Sequence, residues 1–198
     1  MPRPTSLDPE LDLFAAEALP PGLTYRPDFL SVDDERALLA AILDLPLRPA
    51  PYKDYTARRR IASFGGAYDF ARQQLNPAPP LPDWLHPLRD RVARVLGVAS
   101  DELAQGLVTE YAPGTPLGWH RDTPEFEQIA GVSLAASCEM RWRRFPPKAR
   151  EPVLDLVVAP RSLYVMRDEA RWGWQHSVAP TRALRYSITF RTLRRPAA

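Results

Sequence analysis

Arg185-Tyr-Ser-Ile-Thr-Phe-Arg191 alternates polar and apolar side chains from end to end. A period of two belongs to a β-strand with unlike faces, here Arg185, Ser187, Thr189 and Arg191 on one side and Tyr186, Ile188 and Phe190 on the other. The neighbouring chain repeats the theme. Short β-type runs cover Leu107 to Tyr111, Ile129 to Trp142, Val153 to Val158, Ser162 to Met166 and Tyr186 to Leu193, punctuated by Ala112-Pro-Gly, Phe145-Pro-Pro and Ala159-Pro. Five or more strands at this spacing imply a sandwich or jelly roll rather than a parallel sheet.

The first half reads differently. Ser31 followed by Asp33, Asp34 and Glu35 forms an N-cap with acids in the first turn, and Ala37, Leu38, Ala41, Ile42 and Leu45 repeat at helical spacing until Pro46. Leu88, Val92, Val95 and Leu96 mark a second helix that begins near Pro87 and stops at Gly97. Residues 1–25, rich in proline, read as an extension that packs loosely. The domain is expected over residues 26–196, with its β core at about 104–195.

Composition narrows the class. A chain of 198 residues buries roughly 70% of its unfolded surface, enough for a full core. One cysteine, Cys138, excludes a disulfide framework and a cysteine zinc cluster. No apolar run approaches the roughly 18 residues of a membrane span, and Met1-Pro-Arg-Pro opens no signal peptide. A cytoplasmic monomer without membrane association is expected. The net charge of +2 hides an asymmetry: residues 1–50 are acidic, whereas the chain from Glu139 onward is strongly basic, as a phosphate-tracking surface would be.

Histidine is scarce, with only His86, His120 and His176. In Gly118-Trp-His120-Arg-Asp122 the histidine and the aspartate stand two apart, so on extended backbone they project to one side. His176 is the other histidine of the β-rich half. Two histidines and one carboxylate with open positions beside them is the arrangement of non-haem Fe(II) oxygenases. Zinc hydrolysis uses the same ligand types, and a structural histidine beside a surface aspartate is the plain alternative. The Arg185 strand bears on the choice, because two arginines on one face can grip a dicarboxylate through paired charge-assisted bonds. That face could equally be the solvated side of a strand whose apolar residues point inward.

Taken together, Tyr111-Ala-Pro-Gly114, His120-Arg-Asp122, His176 and Arg185-Tyr-Ser-Ile-Thr-Phe-Arg191 resemble the AlkB family of Fe(II)- and 2-oxoglutarate-dependent dioxygenases, over about residues 59–194. The resemblance implies a mainly β fold of the α+β kind: a double-stranded β-helix, or jelly roll, with supporting N-terminal helices and a substrate lid. It implies His120, Asp122 and His176 as iron ligands, Arg185 with Tyr111 at the distal carboxylate of 2-oxoglutarate, and Arg191 near its metal-chelating end. Thr109 and Ser187 stand where the founding enzyme has asparagines, and both still donate hydrogen bonds. The implied reaction consumes 2-oxoglutarate and O2, releases succinate and CO2, and hydroxylates a C–H bond. On an N-methyl group, as in 1-methyladenine or 3-methylcytosine of DNA or RNA, formaldehyde is then lost.

Substrate features follow the family less closely. An acidic residue two past the metal aspartate is replaced by Pro124, with Glu125 next in line, while Met140-Arg-Trp-Arg and Pro160-Arg-Ser-Leu-Tyr-Val-Met look like the tRNA-modifying branch. A flipped base needs a stacking surface and a basic rim. Tyr52, Tyr55 and Arg59, in the place of the lid, are expected to supply them with Trp119, whereas Phe64 and Tyr68 read as core. The same chemistry on tRNA, protein or a small molecule, and a jelly roll that binds without turnover, are the alternatives.

Overall fold

The computed structural model describes residues 19–52, 55–69 and 71–194, the side chains of residues 51, 52, 55 and 56 excepted. Along the chain run β1 (Leu23–Arg26), α1 (Val32–Leu43), β2 (Arg48–Tyr52), β3 (Tyr55–Phe64), β4 (Gly66–Asp69) and β5 (Gln74–Pro77). There follow α2 (His86–Leu96), β6 (Leu103–Tyr111), β7 (Leu117–His120), β8 (Phe126–Leu134), β9 (Cys138–Arg144) and β10 (Leu154–Val158). The chain closes with β11 (Leu163–Met166), α3 (Asp168–Trp172), β12 (Trp174–Val178) and β13 (Arg185–Leu193).

Seven strands form one sheet in the order β1-β11-β8-β13-β6-β3-β2, four form a second in the order β10-β9-β12-β7, and β4 and β5 make a hairpin. Every pairing is antiparallel. This is the double-stranded β-helix, or jelly roll, that the family resemblance implied. One face of the large sheet, with Val108, Val132, Ile188 and Phe190, packs against Leu38, Ile42, Leu88 and Val92 of the two helices. Its opposite face meets the small sheet through Ile129, Met140, Trp142, Tyr164 and Met166. Both faces of β13 are therefore buried, so the Arg185 face is not the solvated side of a strand.

The helices obey their local signals. Ser31 caps α1 reciprocally: Asp34 N–H donates to Ser31 Oγ at 3.0 Å and Ser31 N–H donates to the Asp34 carboxylate at 3.0 Å. α2 has Pro87 in its first turn and ends on Gly97 at φ 70°, a conformation that glycine adopts without steric cost.

Three features depart from the sequence reading. The run Ile129 to Trp142 divides into β8 and β9, in different sheets, at Ala135 with φ 70°. The Ala135 N–H donates to Glu35 Oε1 at 2.8 Å, so a helical side chain 100 positions away anchors the turn. Residues 48–77 hold four strands where no β pattern stood out. Pro49 and Pro51 are tolerated because β2 is the terminal strand of its sheet, where a missing N–H disrupts no ladder. Finally, β1 adds Leu23–Arg26 to the large sheet beside β11, so part of the stretch expected as a loose extension is an edge strand.

Candidate metal and co-substrate site

Strand register decides which side chains meet. Across β13 and β6, Arg185 stands opposite Tyr111, Ser187 opposite Thr109 and Arg191 opposite Gln105. Across β13 and β8, Ser187 faces Ser133 and Arg191 faces Ile129. These side chains share one face because cross-strand partners point the same way. All of them but Ser133 line the floor of a cavity of about 1040 Å³ between the two sheets.

The small sheet brings the candidate metal ligands over that floor. His176 of β12 is the register partner of His120 on β7, and their ring centroids lie 4.1 Å apart. Asp122 follows two residues beyond the end of β7, and His176 Nε2 stands 3.6 Å from its Oδ2. One donor atom from each of His120, Asp122 and His176 lies within 4.8 Å of the others, and all three residues line the cavity.

Two of the three candidate ligands are each held by a neighbour that settles which atom it presents. His120 Nδ1 lies 2.8 Å from the Gly118 carbonyl, which only accepts, so Nδ1 carries the proton and Nε2 offers its lone pair. Asp122 Oδ1 accepts from Arg191 Nε at 3.0 Å and Nη2 at 2.7 Å, and Arg191 Nη1 donates to Gln105 Oε1 at 2.9 Å. That fork occupies Oδ1 and leaves Oδ2 turned toward His176. The loop beyond Asp122 is latched by Arg171 of α3, a residue only 3% exposed. Its Nη2 donates to the carbonyls of Asp122, Thr123 and Phe126 at 3.3, 2.6 and 2.9 Å. No carboxylate pairs with Arg171 among the described residues; carbonyls of the ligand loop absorb its charge.

Protonation states match metal binding. Burial, reinforced by His120, pushes the His176 imidazole down to about 3, and burial also lowers His120. Burial alone would push the Asp122 carboxyl up, but Arg191, His176, His120 and Arg171 together outweigh it and hold it well below the usual carboxylate range. Two neutral imidazoles and a carboxylate are the forms that ligate a divalent ion.

The candidate co-substrate end is marked by Arg185. It is 1% exposed, its Nε donates to Ser133 Oγ at 3.0 Å, and its guanidinium carbon lies 5.0 Å from the centre of the Tyr111 ring. Among the described residues nothing else hydrogen-bonds to it, so the terminal nitrogens of a buried cation face the cavity without an anion. Leaving such a charge uncompensated is expensive, which points to an anionic ligand. Ligands, cavity and Arg185 fit Fe(II) with a chelating dicarboxylate such as 2-oxoglutarate.

The remaining expected residues fall in several places. Thr109, Ser187, Trp119 and Arg59 line the cavity, and the Arg143 guanidinium sits 4.4 Å above the Trp119 ring. Tyr52 and Tyr55 are register partners in the β2–β3 hairpin, and their side chains lie outside the described residues. Glu125 is not part of the wall. It stands beside Tyr68, whose phenol is raised first by burial and then by the Glu125 charge.

Other lining residues escaped the sequence reading. Phe64 and Tyr68, read as core, line the cavity with Arg48 and Tyr164. The Tyr164 ring lies over its cross-strand partner Gly131, where an added Cβ would come within 2.3 Å of it. A glycine inside a strand was the one available signal for that close approach. Arg171 left no signal, since nothing in the sequence separates it from the other arginines. Arg171→Ala is expected to weaken Mn(II) binding, followed by electron paramagnetic resonance, roughly 10–100-fold, as loss of an outer-shell partner does. Arg171→Lys should recover part of the loss, and an unchanged affinity would show that the loop holds itself.

The comparisons with known proteins agree with this geometry. The profile of the 2OG-Fe(II) oxygenase superfamily matches residues 22–191. The chain is 30% identical over 191 residues to the "Alkylated DNA repair protein ALKBH8 homolog" of Arabidopsis thaliana, a match covering 85% of this chain and 54% of that protein. It is 29% identical over 170 residues to the "tRNA (carboxymethyluridine(34)-5-O)-methyltransferase alkbh8" of Xenopus tropicalis, covering 82% and 26% respectively. The chain thus spans about half the length of the first relative and a quarter of the second. The solved structure of OsALKBH1 superposes with a TM-score of 0.67 at 14% identity, covering 87% of this chain and 97% of that one, a likeness of fold. With profile, relatives and ligand geometry in agreement, the chain belongs to the 2OG-Fe(II) oxygenase superfamily, and within it to the AlkB family.

Proposed function

We propose that this protein is an Fe(II)- and 2-oxoglutarate-dependent dioxygenase that oxidises alkyl groups on the nucleobases of DNA or RNA. One observation carries the reading: His120, Asp122 and His176 converge in the same cavity as the unpaired guanidinium end of buried Arg185. When bound, Fe(II) with 2-oxoglutarate and O2 supplies the oxidising power, yielding succinate, CO2 and a hydroxylated carbon that leaves as formaldehyde where it was an N-methyl group. The chain supplies the rest. His120, Asp122 and His176 hold the metal, Arg185 takes the far carboxylate with Tyr111, Thr109 and Ser187 beside it, and Arg191 keeps Asp122 aimed.

The nucleic-acid substrate is supported by the names of the relatives, one called an alkylated DNA repair protein and the other acting on a tRNA uridine. Cavity walls of Phe64, Tyr68 and Trp119 offer planes on which an extruded base can stack. The test is succinate and formaldehyde release from methylated oligonucleotides, offered both as DNA and as RNA, with tRNA as a third substrate. Substrate-stimulated succinate formation that disappears in His120→Ala is the expected result. If no nucleic acid stimulates turnover while 2-oxoglutarate is still consumed, the substrate half of the proposal is wrong.

A further inference from the structure

Five arginines line the cavity, namely Arg48, Arg59, Arg121, Arg185 and Arg191, against a single lining carboxylate among the described residues, Asp122. Three of the five have an occupation. Arg191 is matched by Asp122 and Gln105, Arg185 awaits the co-substrate, and Arg121 donates to the Trp172 carbonyl at 3.2 Å while stacking 3.8 Å from the Phe145 ring. Arg48 and Arg59 have no hydrogen-bond or ion-pair partner among the described residues.

Strand geometry aims one of them inward. In Arg58-Arg59-Arg60 successive side chains alternate between faces, and Arg60 is committed to the outer one, gripping Glu110 through two bonds of 2.7 Å. Arg59 consequently turns to the cavity. Arg60 pairs with Glu110 and Ile61 with Thr109, so the same register continued by one step sets Arg59 level with Tyr111, itself opposite Arg185. The floor of the cavity therefore carries two guanidinium groups on either side of Tyr111, of which the co-substrate requires one.

Among the described residues no acid balances the other. The position two past Asp122 is Pro124, and Glu125 is engaged with Tyr68 outside the wall. A cationic base entering here would meet positive charge in a partly dehydrated space, where Coulomb repulsion is poorly screened. An anionic group would gain charge-assisted hydrogen bonds to a planar fork.

Resting on the dioxygenase reading of the cavity, we infer that its outer arm is an anion subsite: the substrate carries a carboxylate-class anion close to the carbon that is oxidised, and Arg59 binds it. Arg48 adds positive charge at the mouth. Bases whose alkylation makes them cationic are accordingly selected against, and those bearing an acidic substituent are favoured.

The experiment uses a matched pair, uridine with a 5-carboxymethyl group and its isosteric 5-carbamoylmethyl amide, together with cationic 1-methyladenine. Placed singly in one RNA oligonucleotide, the three share every phosphate, so backbone contacts cancel. The expected order of kcat/KM is carboxylate, amide, cation, with roughly 10–100-fold between the first two, the scale of a hydrogen bond to a charged group. Arg59→Gln should shrink that ratio toward unity and Arg59→Lys should restore part of it. In parallel, the full chain loaded with Fe(II) and 2-oxoglutarate without O2 is titrated calorimetrically with the two uridine nucleosides. Tighter binding of the carboxylate, erased by Arg59→Gln, supports the subsite even if every oligonucleotide is inert, in which case only the nucleic-acid reading falls. Equal binding, absence of binding by both, or a preference that survives Arg59→Gln overturns the inference.

Discussion

Asp122→Asn removes succinate formation to below detection, and Mn(II) binding falls roughly 10²–10³-fold. The substitution keeps the shape of the side chain and discards its charge, and that charge is used twice. Through Oδ2 it faces the metal position beside His176, and through Oδ1 it receives the Arg191 fork. The two side chains are 8% and 12% exposed. Breaking a buried pair from one side strands the remaining charge, and a 10²–10³-fold loss of binding corresponds to about 3–4 kcal/mol, the scale of that cost. Electron paramagnetic resonance of the Mn(II) titration measures the first effect and succinate formation the second. Turnover within tenfold of the unsubstituted protein would show that Asp122 is not a ligand.

Arg185→Ala raises the KM for 2-oxoglutarate by roughly 10²-fold or more while leaving Mn(II) affinity close to its original value. The guanidinium is among the largest fully buried side chains, and its Nε is already anchored on Ser133, so the terminal nitrogens are preorganised and lose little entropy on gripping a carboxylate. Two charge-assisted bonds in such a place are worth about 3–5 kcal/mol. Arg185→Lys retains a charge but neither the fork nor the Ser133 contact, and it should fall between the two. Calorimetric titration of the metal-loaded protein with 2-oxoglutarate in the absence of O2 reads the affinity directly. An affinity unchanged by Arg185→Ala would assign the co-substrate carboxylate to another cation, with Arg59 the nearest on the same row of the floor.

Much of the site was visible in the residues themselves. The alternation in Arg185–Arg191 identified the strand and placed its two arginines on one face, because a period of two survives whatever the strand packs against. The grouping of His120 and His176 with Asp122 rested on the spacing of His120 and Asp122, on the scarcity of histidine and on the family resemblance. The strands of residues 48–77 were not visible. β2 is an edge strand containing prolines and β3 carries Arg58-Arg-Arg60, so neither displays the apolar period of a core strand, although β3 forms a wall of the cavity. The division of Ile129–Trp142 was equally hidden, since its turn is anchored by Glu35 of a distant helix.

The sequence by itself determined the chemical inventory: which residues can ligate a metal, which strand carries paired arginines, and which segments begin and end helices. These properties depend on residue type and local spacing, and they persist in any packing. Only the tertiary structure decided the assignments of charge. It gave Arg191 to Asp122, Arg60 to Glu110 and Arg171 to the carbonyls of the ligand loop, and left Arg59 and Arg185 facing open space. Those partners lie tens of residues apart, and strand register, which a shift of one residue would invert, sets which of them meet.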